Sequence, residues 1–154
     1  MGMDLFGQNP KINSQAPQEI NWDKSTDEEQ DKYLRAYSKW QAENPGNYFR
    51  NNVWHWRPLW EYICFVCDDT LTKEDVESGN YNDGHLINKT KAEAIAHKLE
   101  TLLIEGSVQR YADKRQEHLD QLDKDDWDKN YPFSVDNVKE FLAFVRDSGG
   151  FKIC

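Results

Sequence analysis

Cys64 and Cys67, separated by two residues, are the chemically most suggestive pair in the sequence. Two thiolates at this spacing can share a tetrahedral zinc ion, with His85 and Cys154 completing the expected metal set and His55, His97 and His118 as other candidate ligands. Yet the pair sits beside Ile63, Phe65 and Val66 in a stretch of helical apolar spacing, and no second pair at fixed spacing accompanies it. Reduced cysteine is a common small apolar filler. Core packing is therefore the expectation for this pair, and zinc is the cofactor if one is bound. A thioredoxin-like role needs the pair to open a helix after a strand; here it comes late in the helix, so redox catalysis is not expected.

A second group could hold a planar or anionic ligand. Asn51, Asn52, His55 and Arg57 stand close together in the sequence with Trp54 and Trp56 between them, and a later turn could add Asp83 and His85. Arginine would supply a bidentate fork and tryptophan a stacking face. The simpler account takes precedence: Trp54, Trp56 and Trp60 anchor the core, the asparagines shape a turn, and Arg57 pairs with a carboxylate. No Gly-rich phosphate loop, nucleophile elbow or His-Glu-x-x-His occurs, so no catalytic residue is assigned and an enzyme is not the leading expectation.

The elements that must position these residues follow from periodicity and punctuation. Met3 to Phe6 suits a short strand, and residues 11–25 read as an irregular loop. Thr26-Asp27-Glu28-Glu29 forms a capping box that opens a helix with Tyr33, Tyr37 and Trp40 on one face, ending before Pro45-Gly46. Alternation through Val53, Trp54, His55 and Trp56 predicts extended backbone, with Pro58 in the first turn of a following buried helix. Thr72 starts a short helix and Tyr81 to Gly84 make a turn. From Thr90, residues Ala92, Ile95, Ala96, Leu99, Leu102 and Leu103 repeat at helical spacing up to Gly106. Residues 110–130 read as a charged surface helix, and Ser134 caps a last helix ended by Gly149-Gly150. Phe151 to Cys154 form an extended tail that could pair with Met3 to Phe6. The expected fold is mainly α, with five or six helices around an aromatic core and a minor terminal sheet.

With 154 residues, one domain spanning 1–154 is the default. Only 38% of residues are apolar, but six Trp, seven Tyr and seven Phe supply the contact area a core requires. A formal charge of −9 disfavours direct binding to nucleic acid or anionic lipid and leaves open a basic protein partner. Acidic runs at Asp27 to Glu29, Asp68-Asp69 with Glu74 to Glu77, and Asp123 to Asp128 could form such a surface, although most charge runs are only solvated and none has calcium-loop spacing. No apolar run approaches a bilayer span, no signal peptide is evident, and three cysteines do not form an even disulfide framework. The expected location is the cytoplasm.

The segments MDLFGQNP, YFRNNVWHWRPLW, YNDGHLINKTKA and YPFSVDNVKEFLAFVRDSGGFKIC together resemble a family of small bacterial and phage proteins of uncharacterised function. The resemblance covers most of the chain apart from about residues 11–45 and 110–130. It implies no activity. Some members carry further Cys-x-x-Cys pairs before the YPF segment, where this chain has Asp and Lys, which weakens a zinc-ribbon reading. The expected role is a noncatalytic interaction or accessory protein, phage-related and bound to a basic partner. The alternative is a small-ligand or zinc-binding domain centred on His55, Arg57, His85, Cys64 and Cys67.

Overall fold

Alternate burial along four short strands builds one antiparallel sheet, seen in a computed structural model that describes all 154 residues. The strands are β1 (Gly2–Gly7), β2 (Tyr48–Asn52), β3 (His85–Ile87) and β4 (Phe151–Ile153), in the spatial order β2-β1-β4-β3. Met3, Leu5, Phe49, Ile87, Phe151 and Ile153 are buried on one face. The period of two sends Asp4, Phe6, Tyr48, Arg50, Leu86 and Lys152 to the other. The expected pairing of the two terminal segments is present, with Leu5 opposite Ile153 and Phe6 opposite Lys152. What periodicity missed is that β2 and β3 flank this pair: each is too short to show more than one full alternation.

Six helices complete the mainly α fold: α1 (Asp27–Glu43), α2 (Val53–Val66), α3 (Lys73–Ser78), α4 (Lys89–Ile104), α5 (Ser107–Gln121) and α6 (Val135–Ser148). Side chains that satisfy the free N–H groups of their first turns start five of them: Thr26, Asn52, Thr72, Asn88 and Ser134. Glycines in the left-handed region separate α4 from α5 at Gly106 and end α6 at Gly149. No helix is long and apolar enough to cross a membrane.

Two expectations need correction. Residues Val53 to Trp56 are helical, because the β1–β2 pairing ends at Asn52, whose Oδ1 then accepts the His55 backbone N–H at 3.0 Å and opens α2. The buried residues Trp56, Trp60, Ile63 and Cys67 are spaced for one helical face, so neighbouring aromatic residues had imitated strand alternation. Pro58 consequently lies inside α2, past its first turn. The 110–130 region is not one helix either: α5 ends at Gln121, and a separate 3₁₀ turn covers Trp127–Asn130. Sparse apolar residues there give no continuous face to bury, while Asp126 accepts the Asp128 N–H and starts the new turn.

The core is a continuous cluster of 22 buried residues joining α2, α4 and α6 to the inner sheet face. Trp56 and Trp60 stack at 5.3 Å with planes 14° apart, and Phe49, Phe141, Phe144 and Phe151 meet by edges and faces beside them. Each indole N–H finds a carbonyl, Trp56 that of Gly79 at 2.8 Å and Trp60 that of Val76 at 3.2 Å. Gly79 is required by close approach: a Cβ there would stand 2.1 Å from the Trp60 ring.

Candidate functional site

The polar group expected around Trp54 and Trp56 divides among several structural tasks. Asn51 exchanges amide hydrogen bonds with Asn137 of α6 at 3.0 and 2.8 Å. Asn52 caps α2 and contacts the His55 ring Nδ1 at 2.8 Å. Asp83 is exposed on the turn before β3. His85 lies on β3, at the opposite edge of the sheet from β2. Three strand spacings put about 14 Å between those edges. A single site holding Asn51, Asn52 and His85 is therefore not formed.

His85 belongs to a different cluster, centred on Asp75 near the start of α3. Asp75 is 2% exposed. Its Oδ1 lies 2.9 Å from His85 Nε2 and its Oδ2 lies 2.5 Å from Lys91 Nζ, while Oδ2 also accepts the Thr72 backbone N–H at 2.8 Å. Burial alone would raise the Asp75 pKa. The Lys91 ammonium, the Thr72 N–H and the His85 ring outweigh it and hold the carboxyl well below its ordinary value of 3.8. An ionised carboxylate only accepts, so His85 donates from Nε2. The arrangement clips α3, β3 and α4 together at one point.

The cysteines occupy an apolar setting. Cys67 is buried at the end of α2 and Cys64 is half-buried one turn earlier. Burial, chiefly, pushes both thiols up to about 12; Cys67 and Asp75 add to this at Cys64, and at Cys67 Lys98 offsets part of it against Asp69 and Asp68. Cys154 is held elsewhere, exchanging backbone hydrogen bonds with Asp4 at 2.8 Å each. No three His, Cys, Asp or Glu side chains converge on one point. Zinc would have to remove two protons against this burial. The expected result is slow alkylation of Cys64 and Cys67 by iodoacetamide at neutral pH, read by peptide mass spectrometry. Thiolate-like rates at either residue, or one zinc per chain after purification without added metal, would contradict that description.

A fourth cluster lies on the surface where α2 meets the segment before α6. Trp54 packs against Tyr131 at 5.0 Å and edge-on against Trp127 at 5.5 Å. Arg57 lies 5.8 Å over the Tyr131 ring and donates to its hydroxyl at 2.9 Å; the Trp127 indole N–H donates to the same hydroxyl at 3.3 Å. Trp127 is 64% exposed. Asp123, Asp125 and Asp128, also exposed, surround it in the chain. Sequence reading found Trp54, Arg57 and the acids but not the union of Trp54 and Arg57 with Trp127 and Tyr131, about 75 residues away in the chain. It also missed Lys91, which no local spacing ties to Asp75.

The chain matches no protein family, no curated protein and no solved structure.

Proposed function

We propose that this protein is a noncatalytic interaction module that docks a basic partner on the corner formed by Trp54, Trp127 and Tyr131. The observation carrying this reading is the largely exposed Trp127 ring, flanked in the chain by the exposed Asp123, Asp125 and Asp128. An exposed aromatic ring supplies apolar area and a π-face for a cation, and the acids steer and retain positive charge. Indole is among the groups that concentrate binding energy at interfaces. Arg57 lies across the Tyr131 ring and donates to its hydroxyl, which braces the corner. A phage-related accessory role fits this reading and rests on the motif resemblance.

The alternative is a small-ligand or zinc site at His55, Arg57, His85, Cys64 and Cys67. Binding of an arginine- and lysine-rich peptide, followed by tryptophan fluorescence, tests the first reading. The expected result is a change in emission that weakens steeply with added salt and an affinity loss of roughly 2 kcal/mol on Trp127→Ala, the scale of an interface hot spot. Binding that ignores both salt and Trp127 would refute the proposal.

A further inference from the structure

The outer sheet face carries a separate combination of groups. All the core helices pack on the inner face, leaving Phe6, Tyr48, Arg50, Leu86 and Lys152 on a face that helices α2, α4 and α6 do not cover. Phe6 is 45% exposed and its ring lies 5.3 Å from that of Tyr48, tilted by 46°. Tyr37 and Gln41 of helix α1 and Asn47, just before β2, border an open cleft of about 540 Å³ together with Phe6 and Tyr48. Three aromatic rings thus border a space of ligand size, and two amides offer both donors and acceptors at its rim.

The charge on this face differs from that of the chain as a whole. Arg50 and Lys152 lie on it with Asp4 as the carboxylate among them, against a formal total of −9. Asp4 is already engaged: the Tyr48 hydroxyl donates to it, and Arg50 Nε is 3.6 Å away. Lys152, beside Phe6 on β4, makes no ion pair within the protein. Aromatic rings on an open antiparallel sheet, with a free cation alongside, are suited to stacking a base and neutralising a phosphate.

We infer that this cleft binds a nucleoside monophosphate, the base lying against Phe6, Tyr48 and Tyr37 and the phosphate directed to Lys152 and Arg50. Gln41 and Asn47 then meet the polar edge of the base. The net acidity of the chain opposes a long polyanion but not one small ligand on a face where Arg50 and the unpaired Lys152 outnumber Asp4.

Titration of the whole protein with AMP, adenosine and inorganic phosphate, followed by amide and aromatic NMR shifts, tests the site. AMP is expected to move Phe6, Tyr37, Gln41 and Tyr48 together. Phe6→Ala should weaken AMP roughly tenfold, the scale of one lost base–ring stack. Lys152→Ala should weaken AMP while leaving adenosine unchanged. Both side chains are exposed enough for the variants to fold, and unchanged shifts in the core confirm it. Absence of AMP shifts at these residues, equal binding of phosphate alone, or a concentration-dependent dimer that buries Phe6 in place of the ligand would each overturn the assignment.

Discussion

Asp75→Ala is expected to cost about 3–5 kcal/mol, because it strands the partly buried cation of Lys91 and the donor of His85 without their shared acceptor. For a chain of this length that lowers Tm by roughly 6–20 °C. The effect exceeds that of an exposed pair such as Lys73–Glu77, which stands in water. The charge term has a defined pH dependence. The folded-state pKa of Asp75 is depressed below 3.8, so its stabilisation is fully present above that value and is lost as pH falls toward the folded pKa. Asp75→Asn keeps the shape and removes the titration, so the stability gap between wild type and Asp75→Asn should close as pH drops below about 4. Urea denaturation at several pH values measures this. A gap that stays constant into acid would show that Asp75 acts by shape and not by charge.

Trp56→Ala should be comparably damaging. The side chain is fully buried, stacked on Trp60, packed against Phe141 and hydrogen-bonded to the Gly79 carbonyl. Truncating such a ring costs about 3–5 kcal/mol in lost burial and residual cavity. Trp56→Phe isolates the polar part, since it keeps most of the ring but leaves a buried carbonyl without its donor, at about 1–3 kcal/mol. Trp127→Ala, on the exposed corner, should cost under about 1 kcal/mol. Thermal unfolding of the three variants gives the order directly. Equal Tm values for Trp56→Ala and Trp127→Ala would place the core elsewhere than around the stacked indoles.

Local signals made much of the fold legible. The capping residues Thr26, Thr72 and Ser134 and the stops at Gly106 and Gly149 each act within a few residues of the chain, so the helices they bound were readable before any packing was known. The pairing of the terminal segments followed from their alternating apolar residues. Strand β2 fared worse because its continuation, Val53 to Trp56, alternates like a strand yet belongs to α2, and only the capping bond of Asn52 decides the boundary. The clusters that gather function-bearing groups are built across long separations: Asp75 with Lys91, Arg57 with Tyr131, Phe6 with Tyr48. Sequence spacing carries no trace of such contacts. It identified His85 and Trp54 as noteworthy while misplacing their partners.

A charge-matched comparison tests the interaction reading most directly. Asp123→Asn with Asp125→Asn removes two charges beside Trp127, and Asp27→Asn with Glu28→Gln removes two from the exposed first turn of α1. Affinity for the same basic peptide, measured by isothermal titration calorimetry, should fall severalfold in the first variant and stay near wild type in the second. An equal loss in both would mean that the peptide senses only net charge and that the Trp127 corner is not a docking site.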